Sequence, residues 1–393
     1  MQRWNGWGDE NIYLDLPTRG LEILHDLIGE GQRRRDYPLE KFIERIPKSR
    51  LAAHPLISFD PKVRLDHAHG QSLPDWIGLR GGILQRFPDG VAHPTTVEEI
   101  QDLLRFAISN NIVVIPYGGG TSVVGHLEVP ETSRPVLSVS LERFNRLTGL
   151  DSDSRLATFE AGIRGPQLEQ QLNSRGFTLG HYPQSFDYSS LGGWVVTRSS
   201  GQQSKHFGRI EQLFAGGDGL TPRGSLNLPP FPASAAGPDL RQILLGSEGR
   251  MGVLTNVVVN IVALPEKDDI YGVFFPSWER AVHAVQTIAG TDISFSMMRL
   301  SNQAETMTNL TLAGNQRLTA LLARYLRLRG ISEKKACMCL VGFTGSRRLT
   351  AAARRAAFSI IRRFKGIYIG KPMGKAWKKN RFQSAYLRNT LWD

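Results

Sequence analysis

A short apolar run, Ile112-Val113-Val114-Ile115, passes through Pro116 and Tyr117 straight into Gly118-Gly119-Gly120-Thr121-Ser122-Val123. No other stretch limits the possible folds as much. Consecutive β-branched residues read as a short buried strand. Three glycines in a row then admit backbone conformations closed to other residues. Their successive amides can turn toward one anion and form a nest, with Thr121 and Ser122 adding hydroxyl donors. A diphosphate is the natural guest, and a plain tight turn is the alternative that the same string allows.

Two further segments share this texture. The first runs through Pro183-Gln184-Ser185, Leu191-Gly192-Gly193-Trp194 and Thr197-Arg198-Ser199-Ser200-Gly201. Paired glycines beside small hydroxyl residues let a ligand approach the backbone closely, or mark a glycine-rich core crossing. The second, Gly246-Ser247-Glu248-Gly249-Arg250-Met251-Gly252-Val253, feeds a strand. Three such loops exceed what chain reversal requires. Other nucleotide motifs fail. No G-x-G-x-x-G follows a strand, and Gly366 to Lys371 falls one residue short of a P-loop, with Pro372 where a hydroxyl residue is needed. His67 and His69 read as a surface turn rather than a metal site, and no metal is expected. Cys337 and Cys339 share one face of a strand, which reads as buried and apolar.

Around these loops the chain alternates strands and helices. Residues 18–29 read as a helix ended by Gly29. Thr96 and Glu99 form a capping box ahead of Val97, Ile100, Leu104 and Ala107 at helical spacing. Strands are expected over 136–140, 156–161 and 253–264, with a helix over 165–175. Residues 215–239, rich in Gly, Pro, Ala and Ser, read as a long irregular excursion. Beyond Pro265 come a strand over 271–275, a helix over 279–289, a strand over 336–343 and a helix over 347–365 ended by Gly366. That last helix places Leu349, Ala353, Ala356, Ile360 and Phe364 on one face and the pairs Arg347-Arg348, Arg354-Arg355 and Arg362-Arg363 opposite. The reading gives an N-terminal helical and loop region over 1–88 and a loop-bearing domain over 89–265. A strand–helix, strand–helix layer over 266–393 follows.

Charge separates the last part from the rest. The chain carries 48 Lys+Arg against 36 Asp+Glu, yet residues 317–393 alone hold 19 of the basic residues and only the acids Glu333 and Asp393. Such asymmetry fits nucleic acid, a membrane surface or an acidic partner. A charge run is usually a solvated face, so nucleic acid is disfavoured. No apolar run approaches the ~18 residues that cross a bilayer. With two cysteines, no disulfide framework is expected, and a reducing cytoplasmic compartment is the default.

Together the loops resemble the FAD-binding domain of the vanillyl-alcohol oxidase superfamily. More narrowly, the chain resembles the FAD-linked oxidases of the alkyldihydroxyacetonephosphate synthase type. The resemblance starts at Trp4-Asn5-Gly6-Trp7-Gly8 and continues through Ala68 to Trp76 and Pro116 to Val123. Residues 185–201 and 232–255 extend it, and it closes on Trp377, Arg381-Phe382 and Tyr386-Leu387-Arg388. It implies an α+β fold: a two-subdomain FAD-binding domain followed by an incomplete α+β cap domain. Pro116 and Gly118, Gly119, Gly120, Thr121, Ser122 and Val123 would hold the diphosphate. Pro183, Ser185, Ser189, Ser190, Gly192, Gly193, Thr197, Ser199, Ser200 and Gly201 would line the flavin and its ribityl chain. Glu248, Gly249, Gly252 and Val253 would pack around the adenosine. Tyr117 and glycines stand where covalent relatives often carry a histidine, so the expected FAD is non-covalent.

In the synthase, the resemblance implies, an acyl group is exchanged for an alkyl group at a flavin N5 adduct. In the 2-hydroxy-acid dehydrogenases N5 accepts a hydride, which is the second reading. Arg299, in Met298-Arg299-Leu300-Ser301-Asn302, matches a family arginine that faces the substrate anion; a surface ion pair is its alternative. Relatives continue past the position of Asp393, where the resemblance places a tyrosine and a histidine cluster for acid–base work. The expectation is therefore a FAD-dependent enzyme of the synthase type on a short chain without its acid–base groups, with a truncated, inactive form of it left open and a non-catalytic binding fragment as the third reading. A small-molecule or lipid substrate, peripheral membrane attachment and a homodimer complete the expectations.

Overall fold

The computed structural model describes residues 2–31, 35–232, 235–313 and 316–393. The chain divides into two compact units. One comprises Met1–Ile12, Arg34–Gly201 and Gly208–Ala263; the other comprises Tyr13–Arg33, Gln202–Phe207 and Leu264–Asp393.

Among the described residues the first unit holds three sheets, two large and one of two short strands. Strands β1 (Ile57–Ser58), β2 (Gly90–Ala92), β3 (Val113–Tyr117) and β4 (Val136–Ser140) order as β1-β2-β4-β3. Strands β2 and β3 both run parallel to β4, and the Val97–Ser109 helix connects β2 to β3. Thr96 and Glu99 exchange side-chain and backbone hydrogen bonds to start that helix. Its Leu103 and Ala107 bury against Ala92, Leu137 and Val139. Strand β3 is an edge strand and most of it is half-buried, whereas β4 is buried along its whole length. The expectation of a buried 112–115 strand therefore needs correction: Ile112 is buried, but Val113 to Ile115 lie half-buried on an edge strand.

The second sheet is antiparallel. Its strands β5 (Leu147–Asp151), β6 (Leu156–Glu160), β8 (Phe214–Thr221), β9 (Gly224–Leu228) and β10 (Val253–Asn260) order as β5-β6-β10-β8-β9, while β7 (Phe177–Thr178) pairs with β11 (Val262–Ala263). Residues 214–228 thus form a hairpin, not the irregular excursion that their composition implied. Strand β8 is glycine-rich because it is crowded: a Cβ on Gly216 would lie 2.3 Å from the Leu228 carbonyl oxygen. Residues 233–234 of that excursion lie outside the described residues.

The second unit is one four-stranded sheet. Strands β12 (Lys267–Phe275), β13 (Met297–Leu300), β14 (Cys337–Gly345) and β15 (Ile367–Gly370) order as β13-β14-β12-β15. Tyr271, Val273, Phe275, Cys337 and Cys339 pack one face against the Trp278–Ala289 and Arg347–Arg363 helices. Phe274 and Met338 pack the opposite face against Leu310, Leu322 and Leu326. The Arg347–Arg363 helix buries Ala357 and Ile361, with Ala353, Ile360 and Phe364 of the expected face packed beside them, whereas Leu349 and Ala356 of that face are exposed. Arg348, Arg355 and Arg362 recur every seven residues on its solvent side. Lys365 takes the left-handed turn at φ 60, one residue before Gly366.

Candidate functional site

The three glycine-bearing loops meet in the first unit around a cleft of about 340 Å3. Strand β3 delivers the first loop. The Ser122 carbonyl accepts a hydrogen bond from the Gln71 amide at 2.6 Å, which pins its far end. Gly119 lies against the second loop so closely that a Cβ would sit 1.9 Å from the Tyr188 carbonyl oxygen. Gly120 has φ +67, and a Cβ there would meet the Tyr117 hydroxyl at 2.1 Å. Among the described residues, nothing accepts a hydrogen bond from the backbone N–H groups of Gly118, Gly119, Gly120, Thr121 or Ser122. Nearly every buried backbone N–H finds a partner in a folded protein, and Gly120 is buried. Five successive unpaired donors in a cleft wall, one in the left-handed region, fit the diphosphate of a dinucleotide.

The second loop holds its small polar groups in place through local hydrogen bonds. Ser190 caps the Leu191–Val196 helix by accepting from the Gly193 amide. Ser189 accepts from Trp194 Nε1 at 2.7 Å and donates to the Ser185 carbonyl at 2.8 Å. Gly192 donates to the Ala161 carbonyl at 2.7 Å, which ties this helix to the end of β6. Arg198 is held at φ 51, with its guanidinium donating to the Leu245 carbonyl and to Gln242. Behind it, Ser199 Oγ lies 3.1 Å from Nε2 of the fully buried His181, whose Nδ1 has no partner. Burial pushes the His181 pKa down to about 4, so the ring is neutral near pH 7. Glu248, at φ 52, brings the third loop in through its amide, which donates to the Val196 carbonyl at 2.9 Å.

Of the expected residues, Pro116, Gly118 to Val123, Ser185, Ser189, Ser190, Gly192, Gly193, Thr197, Ser199, Glu248, Gly249 and Gly252 line this cleft. Pro183, Ser200, Gly201 and Val253 do not line it; Val253 is buried at the start of β10 and borders a neighbouring cleft of about 410 Å3. Sequence reasoning missed Tyr117, Val124, His126, Leu127, Leu141, Ala161, Trp194, Val196 and Leu254 in the lining. His126 Nδ1 lies 3.0 Å from Ser122 Oγ, and burial lowers its pKa. The i, i+4 spacing of Ser122 and His126 was the available signal. Burial raises the Tyr117 pKa, and its hydroxyl donates to the Asp66 carbonyl at 3.1 Å.

The expected surface turn at His67 and His69 needs correction. His69 is buried, and the His67 ring centroid lies 4.3 Å from that of Tyr117, under the first loop. Among the described residues no group of three or more His, Cys, Asp or Glu side chains could hold a metal ion.

Arg299 lies on β13 in the second unit and pairs with Glu305 at 2.9 Å, both about half-exposed. That unit has its own cleft of about 640 Å3, where Met307, Leu310, Leu322 and Leu326 line the walls with Arg19, Arg324 and Arg327.

Comparison with known proteins agrees with this geometry. The model of the FAD binding domain matches residues 88–227, and that of the C-terminal domain of FAD linked oxidases matches residues 264–391. The chain is similar to alkyldihydroxyacetonephosphate synthase of Dictyostelium discoideum, 31% identical over 100% of this chain and 71% of that protein. The synthase of Trypanosoma brucei brucei is 30% identical over 98% of this chain and 69% of its own length. A solved structure of an alkyldihydroxyacetonephosphate synthase superposes with a TM-score of 0.91 at 29% identity, over 100% of this chain and 77% of that one.

Proposed function

The chain belongs to the FAD-linked oxidases of the alkyldihydroxyacetonephosphate synthase type, a family of FAD-binding flavoenzymes, and from that premise we propose that it exchanges the acyl group of an acylated dihydroxyacetone phosphate for a long-chain alkyl group. The observation that carries the reading is the row of unpaired amides from Gly118 to Ser122 in a cleft shared by three glycine loops.

In this reading the cofactor is non-covalent FAD. The Gly118–Ser122 amides and the Thr121 and Ser122 hydroxyls hold its diphosphate. The hydroxyls of Ser185, Ser189, Ser190, Thr197 and Ser199 line the ribityl and flavin portion, and Glu248, Gly249 and Gly252 flank the adenosine. Bound FAD supplies a reactive isoalloxazine ring, and the protein orients it. The closely packed Leu141, Ala161, Trp194 and Leu254 keep water from that compartment. Arg299 grips the substrate phosphate, since its partner Glu305 is half-exposed and a dianion can displace it. The apolar cleft of the second unit, rimmed with arginines, suits a long hydrocarbon chain with an anionic head. The bonds balance without net redox: one C–O bond to the acyl oxygen breaks, one C–O bond to the alcohol forms, and a fatty acid leaves. The proposed divisions are 1–88, 89–265 and 266–393. No described helix is long and apolar enough to cross a membrane, and the proposed location is cytoplasmic and peripheral to a membrane.

The test is direct. Purified protein given FAD should retain it through gel filtration and release it on acid denaturation. With acyl-dihydroxyacetone phosphate and a labelled fatty alcohol, label should enter the lipid product in step with fatty-acid release. Arg299→Lys should keep FAD and raise the KM for the phosphate substrate about tenfold or more. Protein that takes up no FAD would refute the reading outright. Flavin bleaching by D-lactate or glycolate without exchange would transfer it to the hydroxy-acid dehydrogenases.

A further inference from the structure

We propose that His126 supplies the cleft with a cation for the FAD diphosphate, and that FAD enters together with the proton that charges this ring. The proposal rests on the FAD reading above and deepens it. It starts from the make-up of the cleft. Among the described residues that line it there is no lysine and no arginine, and Glu248 is an acid. A diphosphate diester carries a negative charge on each phosphate, and backbone amides meet it with partial charges only. His126 is the one histidine of the described lining, and so the one side chain there that can become a cation near neutral pH.

One hydroxyl couples the ring to the glycine bend. Ser122 Oγ lies 3.0 Å from His126 Nδ1 and accepts a hydrogen bond from the Val124 amide at 3.4 Å. A hydroxyl has one proton to donate. In a neutral ring protonated at Nε2, which has no protein partner among the described residues, Nδ1 accepts that proton. Once the ring takes a second proton from solvent, Nδ1 can only donate, and Ser122 Oγ accepts from it. The Ser122 proton is then released for a phosphate oxygen, with a positive charge behind it.

Charge around the ring decides when this happens. Burial lowers the His126 pKa from 6.5, so the ring is neutral at pH 7 before FAD arrives. Two charged side chains of the third loop act on it. Glu248 favours the proton and Arg250 opposes it, and the two pair with each other at 3.5 Å. Glu128, on the same loop as His126, lies against Gly125. His67, under the glycine bend, bonds the Val63 carbonyl through Nδ1 and is not part of the lining. A bound diphosphate favours the charged ring and so raises its pKa. Because the bound value then lies above the free one, affinity is greatest below both and falls as pH rises through the bound value.

Calorimetric titration of the full-length apoprotein with FAD tests this, in buffers free of phosphate and sulfate. The wild-type Kd should rise about tenfold from pH 6 to pH 8. Two buffers of different ionisation enthalpy at pH 7 should reveal net proton uptake with FAD. His126→Gln should match the wild type at pH 8, show a flat pH profile and take up no proton. His126→Lys, charged throughout, should bind at pH 8 more tightly than His126→Gln. A wild-type Kd that is the same at pH 6 and pH 8 overturns the proposal and leaves the FAD reading standing. Proton uptake that persists in His126→Gln also overturns it, because the titrating group then lies elsewhere. A lysine variant no tighter than the glutamine variant overturns the cationic role. Wild-type protein that takes up no FAD at any pH overturns both the proposal and the FAD reading.

Discussion

Gly119 has no room for a side chain, and its neighbour Gly120 has no freedom to be anything but left-handed. Both facts concern the loop that presents the unpaired amides. Gly119→Val should therefore lower FAD affinity by about a hundredfold or more, since a β-branched residue resists the tight approach and shields the amides. Equilibrium dialysis with FAD reads this, and normal occupancy in the variant would remove the nest from the site. His181 gives a second prediction. Its pKa falls from 6.5 to about 4 through burial, so the unfolded chain binds the extra proton first. The associated stability is complete above pH 6.5 and is lost as pH falls toward 4, on the order of 3 kcal/mol. Burial lowers His67 and His126 as well, so they add to the same slope. Urea unfolding at pH 7.5 and 5.0 should show the loss, and His181→Gln should flatten it. These histidines also show where sequence reading stops. Alternation of His67 and His69 looked like a solvated turn, but Tyr117, 50 residues on at the end of β3, packs against the His67 ring, and no local period encodes that contact.

Elements whose ends carry their own chemistry were legible. Gly29, at φ 75, closes the Thr18–Ile28 helix where glycine was expected to close it. The Thr96–Glu99 box starts its helix as the residue types require. Thr96→Ala should cost about 1 kcal/mol of stability. Because the cap is exposed and lies outside the cleft lining, thermal melts should shift while FAD affinity stays the same. A melt unchanged within error would mean the cap contributes nothing. Elements shaped by neighbours were misread. The β8–β9 hairpin hid behind glycines that read as loop, and in β8 those glycines are where neighbouring backbone comes close, Gly216 against β9 and Gly217 and Gly219 against β10. The buried side of the Arg347–Arg363 helix was legible in part: Ala353, Ile360 and Phe364 pack toward the sheet as expected, joined by Ala357, Phe358 and Ile361, while Leu349, the most apolar residue of the first turn, is exposed.

At the scale of the molecule, the candidate site is an assembly of segments more than 130 residues apart, from Pro116 to Leu254. No spacing rule announces that they meet; the ordered set of motifs and their resemblance to a family did. Among the described residues the cleft lining comes from the first unit, so FAD should stabilise that unit by mass action, about 2.7 kcal/mol at a hundredfold excess over Kd. Calorimetry with and without FAD checks this, and a thermogram indifferent to saturating FAD would contradict it. One consequence reaches into ordinary handling. Five idle donors on the glycine bend make it a trap for small oxyanions. Sulfate or phosphate in a storage medium will settle there and slow reconstitution, whereas protein exchanged into chloride and a bulky organic buffer will load its dinucleotide fastest.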